Sequence, residues 1–99
     1  MTTLPPTLIA DAHAVAAWMI HAALERMHTS TGPALAGEAI TDAQVAHAVH
    51  RTAAPTVTDT RVMLHRAHHA LGGRGPHDDP LPIEPAVHRL TANLKIPPG

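Results

Sequence analysis

Histidine is the residue type in this chain with the greatest capacity for chemistry. Ten of the 99 residues are histidine, and there is no cysteine. Imidazole binds zinc, nickel and copper, and it changes charge near neutral pH. Helical spacing places three sets on one side of a helix each: His21, Glu25 and His28 (i, i+4, i+7), His65, His68 and His69 (i, i+3, i+4), and His47 and His50 (i, i+3). We expect no obligatory cofactor, but these spacings allow a divalent transition metal; a composition rich in Ala, His and Thr is the alternative explanation.

Candidate residues for covalent or acid–base catalysis are scarce. Without cysteine there is no thiolate nucleophile, and the one serine, Ser30, lacks a nucleophile-elbow pattern. The paired carboxylates Asp78 and Asp79 stand among prolines, where a solvated turn is the simpler interpretation. The glycines at 72–75 lack the strand and helix that flank phosphate-binding loops. The sequence therefore predicts a protein that is not an enzyme.

Helical periodicity between proline and glycine breaks accounts for most of the chain. The segments predicted as helices are 8–28, 42–53, 59–71 and 85–95. Residues 1–6 are expected to form an extended arm, and 72–84 a Pro- and Gly-rich linker. We therefore expect one all-α domain over residues 1–99, a small irregular three- or four-helix bundle with Pro-rich extended termini and linker.

Threonine and proline residues mark the predicted helix starts. Thr7 is the expected N-cap of the first helix and Thr58 of the third. Thr41 and Gln44 match a capping box, which places the start of the second helix at residue 42. Pro85 is the expected first residue of the last helix.

The predicted core is thin. Nineteen of the apolar residues are alanine, and the one aromatic residue is Trp18. Large side chains supply most of the buried area in a core, so such a chain is expected to gain stability by associating with itself or a partner. The apolar arc of the first helix is also broader than one bundle seam, because it includes Ile20, Leu24 and Met27. In the last two helices, the residues predicted to face the core are Met63, Leu64, Ala67, Ala70, Leu71, Val87, Leu90 and Leu94.

A polar side of the first helix is the predicted partner-binding surface. It carries Asp11, Trp18, His21 and Glu25, a large apolar anchor surrounded by polar groups. Core packing of Trp18 is the alternative.

The segment from Ile40 to Leu64 resembles a helix-turn-helix. Residues 41–46 are similar to its first helix, and 55–58 to the start of a recognition helix in winged regulators. The resemblance implies DNA contacts by Thr56, Thr58, Arg61 and His65, with Arg51 or Arg66 on phosphate. Two bundle helices joined by a proline turn are the alternative.

These observations predict a small non-enzymatic protein-binding or assembly protein, such as an adaptor, inhibitor or structural subunit. It would use a face of the first helix and the Pro-rich arms 2–6 and 76–85, and a homo-oligomer is expected. A helix-turn-helix DNA-binding regulator is the alternative, although the net charge of −1 supplies no general attraction to DNA. A histidine-rich metal-binding protein is third. No membrane span and a cytoplasmic location are expected, because Asp11, His13 and His21 interrupt the apolar N-terminal region.

Overall fold

Four α-helices make up most of the described chain. The computed structural model describes residues 3–29, 31–72 and 83–94. The helices are α1 (Pro6–Thr29), α2 (Pro33–His50), α3 (Val57–Gly72) and α4 (Glu84–Leu94). The all-α bundle is confirmed, and the β-pairing found within these ranges is an isolated antiparallel bridge between Thr3 and Thr56.

The start of α1 lies at the proline pair. The carbonyl of Pro5 accepts hydrogen bonds from the backbone N–H groups of Leu8 (2.9 Å) and Ile9 (3.0 Å). Pro6 is therefore the first helical residue, a position where the missing N–H of proline costs nothing. The prediction that Thr7 is the N-cap is wrong by two positions.

The start of α2 differs most from the prediction. The helix begins at Pro33 rather than at residue 42, and it ends at His50 rather than at 53. Thr41 lies inside it, where its hydroxyl donates to the carbonyl of Gly37 at 2.9 Å. The Thr41–Gln44 pattern is therefore not a capping box, since a threonine within a helix satisfies its hydroxyl on the preceding turn.

The start of α3 is fixed by Thr56, whose hydroxyl accepts a hydrogen bond from the Asp59 N–H at 3.1 Å. Thr58 is therefore a residue of the first turn and not the cap. Asp59 lies in that turn as well, where its negative charge interacts favourably with the positive end of the helix dipole. The last helix begins at Glu84, so Pro85 is its second residue.

The core lies around α1, which packs against the other three helices. The predicted core residues of α3 and α4 are buried, except that Leu71 is half-buried. Leu4 is also buried, and its N–H donates to the Pro55 carbonyl at 3.2 Å. Residues 3–5 are thus attached to the turn before α3, and Pro6, predicted as the last residue of the extended arm, is the first residue of α1. Of the second predicted arm, residues 76–82 lie outside the described residues.

By length and composition alone, α1 could also cross a membrane. The core helix of a bundle meets the same two criteria, and α1 contributes seven buried residues here.

Candidate functional site

A buried carboxylate joins three helices. Asp42 of α2 is fully buried, and Arg26 of α1 donates from Nη2 to its Oδ2 at 2.6 Å. Arg66 of α3 donates from Nε to the other carboxylate oxygen, Oδ1. A buried charge is tolerated only when it is paired and hydrogen-bonded. The cluster is therefore a structural tie, and Arg66, predicted to contact phosphate, is part of it.

A second carboxylate ties α1 to α4. Both oxygens of Asp11 accept hydrogen bonds from Arg89, at 2.9 Å from Nε and 2.8 Å from Nη2. These hydrogen bonds and the attraction of the carboxylate raise the pKa of Arg89 above its ordinary value. Asp11 is only 8% exposed. Its predicted place on an exposed polar surface is therefore wrong, because a partner 78 positions away covers it.

The rest of the predicted partner-binding surface is divided. Trp18 is half-buried and packs against the hydrophobic core. His21 and Glu25 are exposed and face each other, with 3.1 Å between Nε2 and Oε1. The four residues do not form one exposed surface around the tryptophan.

The predicted metal ligands do not converge. His28 and His65 are exposed, while Nε2 of His68 lies 3.1 Å from the Thr91 hydroxyl. His69 faces Glu38 at 3.6 Å. Within the ranges that the structure describes, no three His, Asp or Glu side chains form a group able to hold a metal ion.

The residues implied by the helix-turn-helix resemblance have mixed roles. Arg61 donates from Nη2 to the Leu94 carbonyl at 2.9 Å, and Thr56 caps α3. Six residues, 51–56, separate α2 from α3. Four of the implied contact residues are exposed: Arg51, Thr58, Arg61 and His65.

A further surface, not identified from the sequence, lies where α1 and α2 run side by side. Residues 30–32 join the two helices, so they run antiparallel. The rings of His13 on α1 and His50 on α2 meet edge to face, with centroids 6.0 Å apart and an interplanar angle of 71°. This contact shows which side of each helix borders the other.

Helical spacing extends that contact into two parallel stripes. Leu24 is 57% exposed and Ile40 is 46% exposed, whereas Ile20 and Met27 are half-buried. No Asp, Glu, Lys or Arg lies on either stripe. We call this surface the outer α1–α2 face; its residues are His13, Ala17, Ile20, Leu24 and Met27 on α1, and Ala36, Ile40, Ala43, His47 and His50 on α2.

The broad apolar arc of α1 was a sequence signal for half of this face. The other half was missed because the predicted start of α2 excluded Ala36 and Ile40 from the helix.

No protein family, curated protein or solved structure shows a match to this chain.

Proposed function

We propose that the protein is a small non-enzymatic assembly protein that binds a second copy of itself through the outer α1–α2 face. The supporting observation is that Leu24 and Ile40 are both large and about half exposed. Helical spacing places them on neighbouring stripes that contain no Asp, Glu, Lys or Arg. Apolar side chains grouped on one face are typical of interaction surfaces, whereas single exposed ones are ordinary.

A second copy is the favoured partner because the face is compatible with itself. In a two-fold symmetric dimer the same patch lies on both sides of the interface. The stripes carry no acidic side chain, lysine or arginine, so two copies meet without repulsion between such groups. The alanine-rich core gives a reason for association, since burying this face adds apolar area that the small bundle lacks.

The DNA-binding alternative has weaker support. Arg61 and Arg66, two of its three arginines, already bind the Leu94 carbonyl and the Asp42 carboxylate. Phosphate contacts by these guanidinium groups would compete with bonds that join helices. Arg51 remains available, and duplex binding at low salt that Arg51→Ala abolishes would favour this alternative.

Analytical ultracentrifugation over a concentration series tests the proposed self-association. Leu24→Glu and Ile40→Glu should each weaken the dimer by roughly tenfold or more, because a carboxylate would be buried against an apolar surface. Val62→Glu is the matched control, since Val62 is 49% exposed but lies on α3. Circular dichroism should show unchanged helicity in all three variants.

Two outcomes would contradict the proposal. One is a wild-type chain that stays monomeric at roughly 100 μM, a concentration well above the dissociation constant expected of a stable dimer. The other is a loss of dimer in Val62→Glu equal to that in Leu24→Glu.

A further inference from the structure

Two histidines, His13 and His50, lie in contact at one end of the outer α1–α2 face, and the proposed apolar contact gives them no role. His13 is half-buried and His50 is exposed, and they come from different helices. Apart from their mutual ring contact, neither imidazole has a side-chain hydrogen bond or ion pair among the described residues. His47 is exposed one turn before His50 on the same stripe.

The distance between the two rings suits a shared metal ion. Zinc–imidazole bonds are about 2.0–2.1 Å long in a tetrahedral site, so two imidazoles on one ion have ring centroids about 5–6 Å apart. The observed separation is 6.0 Å. Imidazole is a good ligand for zinc, nickel and copper, whereas magnesium and calcium prefer oxygen.

One copy of the chain supplies an incomplete site. A tetrahedral ion needs four ligands, and within the described ranges no three suitable side chains converge. A dimer whose two-fold axis runs along the helices places the histidine end of one face over that of the other. Such a dimer gathers four imidazoles without any further residue type.

We propose that His13 and His50 of two copies together bind one divalent transition metal ion, which bridges the dimer at the outer α1–α2 face. This inference rests on the proposed self-association. The metal acts there as an assembly ligand, because it binds the dimer and not the separate chains, and mass action then strengthens the dimer.

Zinc titration followed by sedimentation tests the inference on the full chain. Zinc chloride should strengthen the wild-type dimer by roughly tenfold or more, with about one ion per two chains, and a chelator should reverse the effect. His13→Ala and His50→Ala should each abolish the zinc effect. The matched control is the double variant His65→Ala/His69→Ala, which removes two exposed imidazoles from α3 and should keep it.

A dimer dissociation constant that zinc leaves unchanged, or a strengthening by zinc that survives in His13→Ala and His50→Ala, overturns the inference. Loss of the effect in the α3 control would overturn it too. The metal-free comparison of wild type with Leu24→Glu separates the two proposals. A dimer that forms without zinc and ignores zinc supports the apolar interface alone. A chain that dimerises only with zinc, through His13 and His50, supports the metal bridge and contradicts apolar self-association.

Discussion

The two flanks of α1 differ in what covers them. On one flank Asp11 is tied to α4 through Arg89, and Trp18, seven residues later on the same stripe, packs against the core. On the other flank Leu24 is open, and Ile40 of α2 continues the open surface. The first flank is thus covered at Asp11 and Trp18 and exposed at Glu25, whereas the apolar flank is exposed at Leu24. Apolar content alone therefore does not tell which flank of α1 is covered.

The buried cluster of Asp42, Arg26 and Arg66 gives the largest expected effect on folding stability. Asp42→Ala leaves the guanidinium groups of Arg26 and Arg66 facing each other without their shared carboxylate. We expect a loss of about 3–5 kcal/mol in the free energy of unfolding, measured with urea, because breaking a buried pair strands its charge.

Glu38→Ala is the control for this change. Glu38 lies one turn before Asp42, and its pair with His69 is exposed. We expect a change of about 0.5 kcal/mol or less. Equal losses in the two variants would show that Asp42 does not join the helices.

Trp18→Ala tests which flank of α1 stabilises the fold and which one binds the second copy. Complete burial of tryptophan makes its removal cost about 3–5 kcal/mol, so a half-buried side chain should cost about 2 kcal/mol of folding stability. Dimer affinity should remain unchanged, the opposite of the result expected for Leu24→Glu. Trp18→Phe, which keeps most of the ring volume, should lose less. A weaker dimer with unchanged folding stability would instead restore the tryptophan flank as the binding surface.

Much of the fold could be predicted because it depends on local periodicity. Proline and glycine breaks identified all four helices, and the 3.6-residue period identified core residues such as Met63 and Leu90. The start of α2 could not be predicted in this way. Thr41 matches the pattern of a capping box. In the structure the preceding turn, which includes Gly37, is already helical, and the Thr41 hydroxyl donates to the Gly37 carbonyl.

The candidate site was less predictable because it depends on contacts between distant residues. Periodicity placed Asp11 on the polar side of α1, and no local pattern reports an arginine 78 positions away. The outer α1–α2 face needs both helices in register, and the late predicted start of α2 removed Ile40 from it.

The smallest expected effect concerns Arg89, and its pH dependence tests the covered flank. Asp11 raises the pKa of Arg89 above its ordinary value through hydrogen bonding and charge attraction. A cation whose pKa is raised by folding contributes stability that is present below its unfolded pKa and lost as pH rises through its folded pKa. For arginine both values lie in strong alkali, so the contribution should be constant from about pH 7 to about pH 10. Arg89→Gln should therefore unfold at a lower urea concentration than wild type. The loss should be smaller than in Trp18→Ala, because solvent screens the half-exposed guanidinium and the glutamine amide can still donate a hydrogen bond to the Asp11 carboxylate. The difference should stay the same across that pH range, and Arg89→Lys should fall between the two chains because it keeps the charge but loses the paired hydrogen bonds. A difference that disappears by about pH 9 would mean that Arg89 acts through another titrating group, and that its pair with Asp11 does not cover this flank.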